Sequence, residues 1–202
     1  MLDAAIIEKC TDPSLTPAIV EQFVAAAGSS DPLAVTVKSG GRLILVPKAK
    51  TPDEAMGLIR QYVGQAVVRV GLTQFPAGVG IKDASELKPD LIDACENLRT
   101  GTKMFAKILR IVAKWYGNPT TKEVFPQIFE DAVYAWKTGE FEGVGVFQAE
   151  DPGGAIAKPV AQVLKSDAAV PDQSTDSDIA APPSDLKNAG IRIDLTRIGG
   201  QK

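Results

Sequence analysis

The sequence predicts an α+β fold: a small sheet, made of a β-hairpin plus one further strand, packed with several helices and followed by a disordered tail. Three observations predict it. Residues 35–46 read VTVKSGGRLILV, two β-rich runs around Ser39-Gly40-Gly41. The glycines supply the positive φ that a tight hairpin turn needs. Other stretches carry apolar residues at three- and four-residue spacing, the helical period. Every Phe, Tyr and Trp lies at or before Phe147, after which the composition turns to Pro, Asp, Ser and Ala.

Taken in order, Asp3–Cys10 is a short helix that Asp12-Pro13 breaks. Pro17–Ala27 is a second, with Thr16 as N-cap, Pro17 in the first turn and Gly28 at the stop. The hairpin follows. Thr51-Pro52-Asp53-Glu54 then opens a third helix with capping-box spacing, and Leu58, Ile59, Tyr62 and Val63 form its apolar stripe. Ala66–Val70 is the further strand, and residues 71–84, with Gly71, Pro76, Gly78 and Gly80, are a loop. Leu87, Leu91, Cys95 and Leu98 mark a helix near 87–99. Lys103–Tyr116 is the strongest helix of the chain, ended by Gly117-Asn118-Pro119. Thr120 with Glu123 repeats the capping-box spacing ahead of a last helix that runs to Lys137 and stops at Gly139. Pro126 is expected to separate or kink its first turn.

The chain divides into three parts. Residues 1–147 are a globular domain with 16 basic and 17 acidic groups, and a domain of about 150 residues buries roughly 70 % of its unfolded surface, enough for one core. Residues 148–189 are an acidic tether. Seven acids face three lysines, and Pro152, Pro159, Pro171, Pro182 and Pro183 punctuate it. Such a segment buries too little apolar surface to offset its ordering entropy. Residues 190–202 regain apolar content: Ile191, Ile193 and Leu195 alternate with Arg192 and Asp194. That pattern suits a short docking strand that adds to a sheet edge, against the plainer reading of a weakly structured end.

Composition narrows the chemistry. The 202 residues include no histidine and carry a formal charge of −3, so Ser-His and Cys-His nucleophile pairs and imidazole bases are excluded. Cys10 and Cys95 have neither metal nor redox-motif spacing. Two buried free thiols in a reducing cytosol are expected, with one long-range disulfide as the alternative. No apolar run reaches the roughly 20 residues that span a bilayer, and the N-terminus lacks the pattern of a signal peptide. A cytoplasmic protein without membrane insertion is expected, and no cofactor or metal is called for.

One charged surface stands out. At 100° per residue, Lys103, Lys107, Arg110 and Lys114 fall within an arc of about 60°, opposite a broad apolar arc. The row is either a solvated helix face or a docking surface for something negative: an acidic protein, the acidic tail of the same chain, or phosphates. Nucleic-acid domains are usually basic overall, and this one is not. The loop VGLTQFPAGVGIKD (70–83), which includes Lys82, follows a strand and is Gly-rich, but it has neither a P-loop nor a dinucleotide fingerprint, so a structural turn is expected in preference to a phosphate site. Paired acids at Asp90 and Asp93, Glu130 and Asp131, and Glu140 and Glu142 read as solvated helix faces and turns, not as a hydrolytic pair.

The stretches DPSLTPAIVEQFV (12–24), VKSGGRLILVPK (37–48), GLTQFPAGVGIKD (71–83), NLRTGTKMFAKILRIVAKWYGNPT (97–120) and YAWKTGEFEGV (134–144) resemble the small TraH conjugal-transfer proteins of tumour-inducing and symbiotic rhizobial plasmids. These are distinct from the larger TraH of F-type plasmids. The resemblance covers about residues 1–150. It implies a role in plasmid conjugation, with conjugal-transfer proteins as partners, and brings no catalytic motif to carry over. The expected function is a non-enzymatic accessory or adaptor protein that binds a protein partner. The alternative is a DNA-binding accessory factor, for which the basic row is the only support. Lys103, Lys107, Arg110 and Lys114, with Ile191, Ile193 and Leu195, are the candidate partner-binding residues.

Overall fold

The computed structural model describes residues 3–154 and 156. The remainder of the expected tether and the segment 190–202, with Ile191, Ile193 and Leu195, lie outside the described residues. Five helices are present among the described residues: α1 (Ala4–Cys10), α2 (Pro17–Ala27), α3 (Pro52–Tyr62), α4 (Ala94–Trp115) and α5 (Phe125–Thr138). Strands β1 (Val35–Ser39), β2 (Arg42–Ile44), β3 (Val67–Val70) and β4 (Phe75–Pro76) form one antiparallel sheet in the order β2-β1-β3-β4. A second hairpin, β5 (Glu140–Phe141) with β6 (Val144–Gly145), follows α5. The α+β class read from the sequence is the class observed.

The strand period separates two faces. Register places Val35 opposite Val70, and Val37 opposite both Val68 and Ile44. This face is buried, and α3 packs across β1 and β3. The other face carries Lys38 between Val67 and Leu43, and Thr36 opposite Arg69, which in turn pairs with Pro76. Arg69 and Pro76 are buried, whereas Lys38, Leu43 and Val67 are exposed. The outer face is thus covered at one end and open at the other. The helical core centres on Phe23 stacked on Phe105 with centroids 3.9 Å apart, and on Trp136 edge-on to Phe23 at 5.1 Å.

Two helices expected near 87–99 and 103–116 are one. Pro89, lacking an N–H donor, sits in a 3-10 turn (Pro89–Leu91), and the helix begins only where Asp93 caps the amides of Cys95 and Glu96. It runs through Gly101 to Trp115 without interruption. Gly101 is a point of close contact: a Cβ there would lie 2.2 Å from the Thr73 hydroxyl. At α5 the expected Thr120/Glu123 box does not form. Residues Lys122–Val124 make a 3-10 turn ahead of Pro126, and Val124 takes the cap position without a side-chain bond. Thr16 holds its expected cap position at α2, but its hydroxyl has no partner among the described residues.

The stretch read as a loop from residue 71 is partly strand and, over 71–77, buried throughout. Gly71 has φ +71°, and any side chain there would collide with Asn97. Asn97, 2 % exposed, uses its whole amide: Nδ2 donates to the Val70 and Leu91 carbonyls (3.1 and 2.7 Å), and Oδ1 accepts from the Thr73 amide and hydroxyl (both 2.9 Å). Trp136 Nε1 donates to the Thr73 carbonyl at 3.1 Å. One turn therefore joins the sheet to α4 and α5.

The two cysteines are not free. Cys10 and Cys95 form a disulfide with their Cα atoms 5.0 Å apart, joining the end of α1 to the first turn of α4. This corrects the expectation of two thiols. Sequence spacing carries no information on the α1–α4 packing that brings them together. Closing a loop 85 residues long removes about 4–5 kcal/mol of denatured-chain entropy, of which about 2–4 kcal/mol is typically realised. Denatured, unreduced protein should accept no maleimide mass tag, and reduction should lower the Tm by about 5–15 °C. Two tags on unreduced protein would contradict the bond.

Candidate docking surfaces

The basic row on α4 is real, and its middle is already occupied. Lys107 Nζ donates to the carbonyls of Phe147 and Ala149, both at 2.9 Å. Arg110 grips Asp151 with two parallel bonds, Nε to Oδ1 at 2.8 Å and Nη2 to Oδ2 at 2.5 Å. This fork is the strongest geometry available to an arginine and a carboxylate. The acidic partner of the row is therefore the chain itself, one of the alternatives the sequence left open. Residues 147–154 form a strap along α4. Its first residue sets Phe147 edge-on to Trp136 at 5.7 Å, and its last part, with Ile156, roofs a cavity of about 390 Å³ floored by Leu109, Ala113, Phe125 and Ile128. Lys103 and Lys114 remain exposed at the two ends of the row.

The electrostatics follow from the contacts. The Arg110 fork holds the Asp151 carboxyl down at about 2, and the same bond raises Arg110. Burial lowers Lys107, and Asp151 works against that shift. The folded pKa of Asp151 lies below its ordinary value of 3.8. Its contribution is thus complete above about pH 4 and is lost as pH falls towards 2. With Asp151 41 % exposed, solvent screening leaves about 1 kcal/mol or less.

The second charged surface was not legible as a unit. An open groove of about 1080 Å³ lies over the outer face of the sheet and gathers Lys38, Arg60, Arg69, Lys82 and Lys137 against Asp83 and Glu140. The five cations come from β1, α3, β3, the 78–84 loop and α5. Sequence reasoning had singled out Lys82 alone, within the Gly-rich loop. Arg69 was the available signal, a charge in the middle of the strand VVRV.

Arg69 is 8 % exposed. Its Nη2 donates to the Trp136 and Lys137 carbonyls (2.6 and 3.0 Å) and Nη1 to the Gln74 carbonyl (3.2 Å). It thus caps the negative end of α5. Its guanidinium lies 6.0 Å from the Trp136 ring centroid and 5.8 Å from that of Phe147. All its acceptors are neutral, and desolvation draws its pKa down to about 10.

Among the described residues, no group of three or more His, Cys, Asp or Glu side chains is placed to hold a metal ion, and no helix is long and apolar enough to cross a membrane. Of the paired acids named above, Glu140 lines the groove, and its neighbour in sequence Glu142 does not. Replacing Asp151 by Asn should leave the domain folded and raise amide exchange in 147–154 up to about fivefold at pH 7, the equivalent of about 1 kcal/mol. In the unaltered chain the same rise should appear only as pH falls below about 4. Unchanged exchange in the variant would show that the fork does not hold the strap.

The TraH_2 family matches residues 1–200. The match runs well past the first 150 residues that carried the resemblance, through the segment expected to be a tether. The uncharacterized protein y4dP of Sinorhizobium fredii (strain NBRC 101917 / NGR234) is 68 % identical over 203 residues, covering 99 % of this chain and all of that protein. No solved structure matches. A conjugal-transfer role comes with the family, and the chain belongs to the TraH_2 family.

Proposed function

We propose that this protein is a non-enzymatic accessory or adaptor component of plasmid conjugal transfer, and that it holds a protein partner on the open face of its sheet. One observation carries the reading. On that face Leu43 is 59 % and Val67 54 % exposed, flanking Lys38 in register, and Leu45, just past β2, is 91 % exposed. Among the described residues β2 is also an edge strand, paired on one side only. Clustered exposed apolar side chains beside a free edge are a liability unless something covers them. The absence of histidine, and a groove furnished with cations and two carboxylates, support a binding role over a catalytic one.

The DNA-binding alternative rested on the row Lys103, Lys107, Arg110 and Lys114. With Lys107 and Arg110 engaged by the strap, only the two end members are free to meet phosphates, and that reading loses its main support. For the compartment, the Cys10–Cys95 bond favours oxidising surroundings over the cytoplasm, where thiols are kept reduced.

Complementation tests the proposal. A plasmid lacking the gene should transfer less often, and the wild-type gene should restore transfer. The double variant Leu43→Asp, Val67→Asp should still fold, since both side chains are more than half exposed, with the Tm checked, yet fail to restore it. Full restoration by the variant would remove the sheet face from the account.

A further inference from the structure

We propose that the groove over the outer sheet face takes an extended, acidic polypeptide segment of a partner protein that presents carboxylates and apolar side chains in turn on one face; this rests on the adaptor reading and specifies its partner. The charge argument comes first. Five cations line the groove against two carboxylates. Among the described residues none of the five takes part in an ion pair, the pairs formed being Lys48–Asp31, Arg99–Glu96 and Arg110–Asp151. The α4 row has its anion in Asp151, whereas among the described residues no anion pairs with the groove's cations. Beneath it Arg69 is buried with neutral carbonyl acceptors only. Those three bonds use three of its five N–H groups. A charge held in low dielectric at the floor of an open groove projects its field outward into it.

The apolar pattern sets the form of the occupant. Val67 and Lys38 lie side by side on the groove floor, and Leu43 stands beyond Lys38 on the same face. Successive side chains of an extended segment point to opposite faces, so a cation between two exposed aliphatic side chains is matched by apolar residues at i and i+4 with an acid at i+2. The same observations disfavour nucleic acid. Sheet surfaces that bind single strands stack bases on aromatic rings. Here the open positions are Lys38, Leu43 and Val67, while the Phe147 ring at the groove lies against Arg69. The whole chain is also acidic, at −3.

The test is a fluorescence-anisotropy titration of the full chain at physiological ionic strength with three labelled probes of equal length. These are a peptide repeating Val-Ser-Asp-Ser, which sets Val and Asp in turn on one face, its counterpart repeating Val-Ser-Lys-Ser, and an oligothymidylate. The acidic peptide should bind and the basic one should not. The variant Lys38→Glu, Arg60→Glu, with both positions exposed and the Tm checked, should bind the acidic peptide about tenfold or more weakly. Lys103→Glu, on the α4 row, should bind it as the unaltered chain does. Oligothymidylate binding tighter than the acidic peptide, equal affinity in the double variant, or no binding of the acidic peptide would each overturn the proposal. Should the peptide fail while Leu43→Asp, Val67→Asp still blocks transfer, the adaptor reading stands and the acidic chemistry falls.

Discussion

The amide of Asn97 is the interaction on which the rest of the structure depends. It reaches from the second turn of α4 to four groups, on Val70, Thr73 and Leu91. These bonds fix the backbone where the sheet turns from β3 towards β4. Each buried group left unpaired would cost about 1–3 kcal/mol. The network is fully satisfied, the condition under which buried polarity specifies a single arrangement instead of weakening it. Thr73 passes the constraint to α5 through its bond from Trp136. Arg69 and Gln74 close the same turn from the sheet side. Gly71 and Gly101 are the two positions where the missing Cβ admits Asn97 and Thr73.

That arrangement also decides where charge is available. The turn brings the end of α5 over Arg69, so one end of the outer sheet face is covered and the other is open. The strap from Phe147 onward then lies on α4, where Lys107 and Arg110 hold it. Two cationic surfaces thus have opposite fates. One is neutralised by the chain's own backbone and Asp151, and the other faces solvent with Arg69 beneath it.

Local chemistry was legible in the sequence, and distant pairing was not. The hairpin turn, the caps of α2 and α3 and the amphipathic face of α4 are written in residues a few positions apart. Asn97 with Thr73, Cys10 with Cys95, and the five cations of the groove are separated by tens of residues and meet only through packing. The close approach of Thr73 to Gly101 was hidden for the same reason, since the two lie 28 positions apart. The β5–β6 hairpin escaped because two-residue strands show no period, though its turn, Glu142-Gly143, takes positive φ at both positions. On the functional side, the α4 row was correctly seen as cationic, but sequence alone left open what it meets.

Native-state hydrogen exchange of the Thr73 amide tests the central claim most directly. That amide bonds Asn97 Oδ1 inside the buried turn. If the turn holds sheet and helices together, its exchange should require global unfolding and match the free energy from urea denaturation, in the unaltered chain and in a destabilised variant alike. Exchange of Thr73 well below the global free energy, with α4 and β3 still protected, would show that sheet and helices hold together without it.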